Sequence, residues 1–213
     1  SDGIGYEDAA VLPPFRAIVF DEAHAIESSA TSYFSDELTR FELYRTLGRL
    51  LRMKRERKFG LVPRLQNLAG LPPETLARFP DAVAACRLAI EALDAAVLSL
   101  VGAEKTLRLI EVNRAVETGL FMPALALEKA CAALIQLCTE VLENISEDKA
   151  DSLEVKEARL VVRALVKASA LCARFRAFDE DPETVYWLER GRTSSGEGFA
   201  RLVATPLDVG PLM

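Results

Sequence analysis

The stretch ALALEKACAALIQLCTEVLENI, residues 124–145, decides the fold of this 213-residue chain. Its spacing predicts a helix that is apolar nearly all the way round, and such a helix is usually buried. We therefore expect it to be the central helix of a bundle. Half of the chain is hydrophobic and 27% is charged, which is typical of a globular protein with a sizeable core.

Further helices are predicted on both sides of this one. Ser35 can cap an amphipathic helix of about 20 residues, which Gly60 and Pro63 would end. Residues 81–101 predict a second helix. A third is expected to start after a Ser152 cap and to run to about residue 178.

Short strands are predicted near both ends of the chain. Residues 15–20, FRAIVF, form a branched apolar run that is typical of a buried strand. Residues 184–189 and 199–205 are strand-like, with the flexible loop GRTSSGEG between them. Residues 105–113 fit a strand or a helix. The predicted fold class is mainly α: a helical bundle flanked by a few short β-strands.

The cysteines and the single histidine restrict the chemistry. Cys86, Cys131, Cys138 and Cys172 have no CxxC spacing, so we expect reduced, buried thiols on helix faces rather than a zinc or redox site. Because His24 is the only histidine, a metal site built from several histidines is excluded within these 213 residues.

The decapeptide FRAIVFDEAH, residues 15–24, carries the strongest chemical signal. A buried strand that ends in two adjacent carboxylates, Asp21 and Glu22, is the layout of nucleotide hydrolysis in P-loop enzymes. Mg²⁺ prefers such oxygen ligands, and a second acid can polarise the attacking water. The alternative is a coincidental tetrapeptide.

At these residues the chain resembles the superfamily-two helicases, whose Walker B signature is DEAH after an apolar strand. The longer segment VLPPFRAIVFDEAHAIESSAT is similar to the XPD/DinG branch, in which a helical Arch domain is inserted after that strand. VYWLER (185–190) and RLVATPLDVGPLM (201–213) resemble the return into the motor domain. The resemblance implies a Walker B part (1–34), an Arch-like helical domain (35–182) and a return β-hairpin of the motor sheet (183–213).

The resemblance also implies roles for the DEAH residues. Asp21, together with Glu22, would hold Mg²⁺ through water, Glu22 would activate the hydrolytic water, and His24 would couple the nucleotide site to the second motor domain. ATP and Mg²⁺ would be cofactors of the intact parent. No stretch of the chain matches the GxGKT P-loop, so we expect these 213 residues to be inactive alone. A parent iron–sulfur cluster is an open question, since this segment does not ligate one.

The function implied is that of a segment of an ATP-dependent 5′ to 3′ DNA helicase of DNA repair, cytoplasmic and nucleoid-associated. Its partners would be single-stranded or forked DNA and the remaining motor domains of the same polypeptide. We expect no membrane partner, because no window approaches roughly 20 apolar residues. Two alternatives stay open: a non-enzymatic helical interaction module, and part of a DinG-like single-strand nuclease.

A basic segment is the candidate DNA contact. Residues 45–58, RTLGRLLRMKRERK, hold seven basic side chains and one acid in a chain of net charge −6. A phosphate-tracking surface for single-stranded DNA is one interpretation, and its candidate residues are Arg49, Arg52, Lys54, Arg55, Arg57 and Lys58. The other is a solvated helix face whose arginines pair with acids elsewhere. Trp187 could stack on bases, but we favour it as a core residue.

Overall fold

The structure is a computed structural model, and it describes residues 33–54, 57–70 and 72–207. Of Lys54, Arg57 and Pro73 it describes the backbone. The predicted strand over 15–20 lies outside the described residues.

Five helices and six strands form the described chain. In chain order they are β1 (Asp36–Thr39), α1 (Arg40–Leu50), β2 (Arg52–Lys54), β3 (Arg57–Phe59), α2 (Leu61–Ala69), α3 (Pro73–Val101), β4 (Thr106–Arg108), α4 (Met122–Glu143), α5 (Leu153–Arg176), β5 (Thr184–Arg192) and β6 (Gly198–Pro206). A helical turn (Arg114–Val116) and a π-helical turn (Glu117–Phe121) lead directly into α4. The mainly α fold class is confirmed.

The strands form one four-stranded antiparallel sheet and one separate hairpin. The sheet has the order β1-β6-β5-β4, so that β1 and β4 are its edges. Among the described residues, β2 and β3 pair only with each other, and we name these two strands the basic hairpin. Strands from the predicted helical domain therefore share a sheet with the predicted return hairpin, while the domain boundary at residue 183 stays a prediction.

The centre of the bundle is α4, as expected from its apolar sequence. It packs against α3 on one side and α5 on the other, while α3 also covers β5 and β6 of the sheet. All four cysteines are free and buried, which confirms the expectation for them. Burial raises the pKa of the Cys138 and Cys172 thiols to about 12, so both stay protonated at neutral pH.

Two other predictions are confirmed, and one open choice is resolved. α5 begins where expected, with the Ser152 hydroxyl accepting a hydrogen bond from the Val155 N–H at 3.4 Å. Residues 105–113 contain the strand β4, which resolves the choice between strand and helix. The terminal hairpin is present and longer than predicted, because pairing runs out to Arg192 and Gly198.

The predicted helix of about 20 residues after Ser35 is present only over Arg40–Leu50. Residues 36–39 pair with β6 instead, and the helix ends at Leu50, before the basic hairpin. Edge pairing of β1 outweighs the local preference of this segment for a helix, because strand formation depends on its partners. Pro63 lies inside α2 rather than ending a helix.

The start of α3 also differs from its prediction, because the helix runs through Pro80 from residue 73. Proline inside a helix costs about 3 kcal/mol. The side chains of Leu76 and Phe79 in this first part are buried, and burying each large apolar side chain contributes about 1.5–3 kcal/mol. Their burial offsets the cost of the proline.

Trp187 is not the core residue of β5, contrary to the prediction. Tyr186 is 2% exposed and Leu188 is fully buried, whereas Trp187 lies half-buried on the other face of the strand. The two aromatic residues do point to opposite faces, as the period of a strand requires. Tyr186 is anchored in the core by the Phe175 ring, whose centroid is 5.1 Å away.

One described stretch, Arg114–Glu143, is long and apolar enough to cross a membrane by length and composition. This qualifies the expectation that no window approaches a span. The buried side chains of α4 within this stretch pack into the helical core, and 33% of its most apolar window is buried. The absence of a membrane partner stays a prediction.

A buried ion pair joins the helices to the sheet. Asp94 of α3 is 7% exposed and accepts hydrogen bonds from the Ala200 N–H of β6 at 2.8 Å and from the guanidinium of Arg40 at 3.2 Å. Arg40 is the first residue of α1 and also donates to Glu197 at 2.6 Å. Burial raises the pKa of Asp94, against the opposing effects of the Ala200 N–H and the Arg40 charge. This carboxylate thereby fixes the start of α1.

Substitutions of Asp94 separate its hydrogen bond with the Ala200 N–H from its ion pair with Arg40. Asp94→Ala leaves the Ala200 N–H buried without an acceptor, and we expect it to lower the free energy of unfolding by about 3 kcal/mol. Asp94→Asn retains an acceptor for that N–H, so its loss should be about half as large. Urea denaturation followed by circular dichroism measures both values. Equal stability of wild type and both variants would contradict this role.

Candidate nucleic-acid interface

The DEAH residues Asp21, Glu22 and His24 lie outside the described residues, as does Arg55. Within the described ranges, no group of three or more His, Cys, Asp or Glu residues could hold a metal ion. The described part of the predicted site is therefore the basic segment.

The basic segment does not lie on one helix. Arg45 and Arg49 are one turn apart on α1, and Arg52 begins β2. All three are exposed and line the same groove. A helix rises 1.5 Å per residue, so the two helical arginines stand about 6 Å apart along its axis.

Lys58 lies on the other face of the basic hairpin. In the register of the hairpin, Arg52 is opposite Phe59 and Met53 is opposite Lys58. Because neighbouring side chains of a strand point to opposite faces, these two pairs face opposite ways. Arg52 and Phe59 line the groove, and Lys58 does not. For Lys54 and Arg57, the structure gives backbone positions on β2 and β3. The predicted basic patch is thus divided between the groove and the opposite face of the hairpin.

The groove runs between α1 and α5, with the basic hairpin and the start of α2 at one end. Its volume is about 1060 Å³, and we name it the α1–α5 groove. A smaller hollow of about 270 Å³ continues it and shares Arg45, Arg49 and Ala164. The groove extends beyond the arginines predicted from the sequence.

Apolar and aromatic side chains form much of the groove surface. Phe59 of the basic hairpin is 45% exposed, and Leu160 of α5 is 53% exposed. Tyr44 is held in place, since its hydroxyl donates to Glu91 at 3.1 Å and the guanidinium of Arg87 lies 5.7 Å from its ring centroid. The groove therefore offers apolar surface beside positive charge.

Several arginines of the described chain form ion pairs, but three groove arginines do not: Arg45, Arg49 and Arg52. Among the described residues, none of the three forms an ion pair, and neither does Lys58. The interpretation in which they pair with acids elsewhere therefore has no support in the described chain.

Other basic side chains along the groove are neutralised. Arg64 of α2 binds Glu154 at 3.0 Å and Glu157 at 2.7 Å, and the hydrogen bond with Glu154 is the main reason for its raised pKa. Lys167 of α5, which lines the smaller hollow, lies 3.1 Å from Asp36. Among the described residues near the groove, the basic side chains without an acidic partner thus lie on α1 and on the basic hairpin.

Sequence reasoning missed Phe59, Tyr44 and Leu160 as groove residues. For Phe59 the sequence shows only that it is one of two apolar residues in the charged stretch 52–59, directly before Gly60. Leu160 had no local signal, since its position opposite α1 depends on a contact between elements more than 100 residues apart.

Comparison of the chain with models of known protein families finds no match, and a search of curated proteins finds none either.

Gly60 fixes the basic hairpin against the end of α1. Its φ is 114°, and a Cβ there would lie 2.8 Å from the carbonyl oxygens of Arg49 and Leu50. We expect Gly60→Ala to lower the free energy of unfolding by about 3 kcal/mol, because it adds backbone strain and a clash with main-chain atoms.

Gly70→Ala is the matched control for this change. Gly70 also has a positive φ, 62°, but no atom lies within 4 Å of its Cβ position. Its substitution should cost only about 1 kcal/mol of left-handed strain. Denaturation curves of the two variants measure the difference, and equal losses would show that the hairpin does not approach α1 closely.

Proposed function

We propose that this chain is part of an ATP-dependent DNA helicase and that its α1–α5 groove binds single-stranded DNA. The observation that carries the DNA-binding proposal is a set of three exposed arginines on one groove, Arg45, Arg49 and Arg52, none of which pairs with an acid among the described residues. The net charge of the chain is −6, so the positive charge of this groove is opposite in sign to that of the chain as a whole.

Phosphate binding is the chemistry that suits these arginines. An arginine without a carboxylate partner can donate to phosphate without first breaking an ion pair. Neutralising phosphates also releases condensed counterions, which supplies much of the affinity of sequence-independent binding. Arginines on successive turns of α1, followed by one on the hairpin, can contact successive phosphates of an extended strand.

The motor function is proposed from the DEAH segment of the sequence. Asp21 and Glu22 would hold Mg²⁺ through water, and the ion would neutralise charge on the phosphates of ATP. Glu22 would take the proton of the attacking water, and His24 would contact the second motor domain. The helical domain would act as a gate or platform for single-stranded or forked DNA during 5′ to 3′ movement. The proposed location is the nucleoid of the cytoplasm.

Charge reversal in the groove tests the DNA site. In 0.1 M salt we expect Arg49→Glu with Arg52→Glu to raise the Kd for fluorescein-labelled oligo(dT) at least about tenfold. Each lost phosphate contact should also reduce the slope of log affinity against log salt by about 0.7, hence by about 1.4 for both. Fluorescence anisotropy across a salt series measures both quantities.

The control is Arg108→Glu with Arg114→Glu, which changes the net charge equally. Both residues are exposed and neither lines the α1–α5 groove. This double variant should bind within about twofold of wild type. If the two double variants weaken binding equally, the effect is one of net charge, and the groove is not the site.

The hydrolytic role of Glu22 is tested in the protein that supplies a P-loop together with this chain. Glu22→Gln should reduce ATP turnover at least about 100-fold, because the amide cannot accept the proton of the attacking water. Binding of ATP should be retained. Glu27→Gln, the same change five residues later, is the control. Full turnover in Glu22→Gln would remove Glu22 as the base, and DNA binding without any ATP turnover in wild type would favour an interaction module.

A further inference from the structure

We infer that Phe59 is a stacking platform for an unpaired base, and that Arg52 beside it holds the adjoining phosphate. This inference rests on the proposed function and adds to it the part of the nucleic acid that the groove recognises. It makes the site selective for single strands rather than for negative charge alone.

The register of the basic hairpin places the two residues together. Arg52 and Phe59 are directly opposite in the antiparallel pair β2–β3. Directly opposite side chains lie on one face of the ribbon with Cβ atoms about 5 Å apart. Both line the α1–α5 groove and both are exposed. A cation and an aromatic ring are thus side by side, as a nucleotide presents a phosphate beside a base.

Phe59 is the most exposed of the described phenylalanines, with Phe41 next at 38%. Phe79 and Phe175 are fully buried, whereas Phe59 is 45% exposed. A ring left in contact with water contributes little to the folded state, but stacking against a base removes its face from water. Leu160 lines the same groove, so a base on Phe59 meets further apolar surface.

The platform stands on a fixed support. Gly60 directly follows Phe59 and lies against the carbonyl oxygens at the end of α1. Leu61 and Val62, the next residues, are 2% and 1% exposed in the core. The chain on this side of the ring is therefore held in position before any ligand binds, which lowers the entropy cost of binding.

Stacking on Phe59 requires a base that is not paired. In a duplex each base is stacked and paired inside the helix, and only its edges are open in the grooves. Base–aromatic stacking tolerates any sequence, because every base has a π-face. We therefore expect a preference for single strands with little preference among bases.

The test compares oligo(dT) with an abasic strand of the same length and the same number of phosphates. Phe59→Ala should weaken oligo(dT) binding about tenfold and leave binding of the abasic strand unchanged. Phe59→Trp should retain the affinity for oligo(dT), which separates loss of stacking from loss of fold. Anisotropy titrations at one salt concentration measure all of these values.

Met53→Ala is the matched control, because Met53 is 55% exposed on the opposite face of the same hairpin. It should bind both strands like wild type. If Phe59→Ala binds oligo(dT) like wild type while reversal of Arg49 and Arg52 weakens it, the stacking inference fails and the proposed DNA site stands. If neither change affects binding, both fail.

Discussion

The buried carboxylate of Asp94 links the helices to the sheet. It accepts hydrogen bonds from β6 and from Arg40, the first residue of α1, so that one side chain of α3 orients both the sheet and the helix. A carboxylate with 7% exposure is costly unless it is paired. Because Ala200 and Arg40 both satisfy it, its burial specifies a single position for α1. That position sets one wall of the α1–α5 groove.

Distant parts of the chain combine to make this groove. One wall is α1, the other is the first half of α5, and the basic hairpin closes one end. The acids of α5 near this end, Glu154 and Glu157, are paired with Arg64. One guanidinium shared by two carboxylates leaves a net charge of −1 at this end, while the other α5 residues that line the groove are apolar. The phosphates of a bound strand would therefore favour the α1 side, where the arginines have no acidic partner among the described residues, and its bases would meet the apolar side chains. This asymmetry fits a single strand of nucleic acid whose phosphates face α1 and whose bases face α5.

Much of the fold follows from local patterns in the sequence. The central helix α4, the Ser152 cap and the terminal hairpin all depend on period, capping and turn signals that short segments carry. Residues 36–59 were mispredicted as one helix, because β1 forms only by pairing with β6, about 165 positions away. For the candidate site, the sequence identified the basic residues of this segment, but which of them face the groove depends on the register of the hairpin.

The most direct test is to map the residues that a bound single strand contacts. A single strand that carries 5-bromouracil can be photo-cross-linked to the chain, and the modified peptides can be identified by mass spectrometry. We predict cross-links in α1 and the basic hairpin, at Tyr44 or Phe59. Trp187 is a half-buried aromatic residue on the sheet and outside the α1–α5 groove. Cross-links at Trp187 or elsewhere on the sheet, with α1 and the hairpin unmodified, would contradict the account.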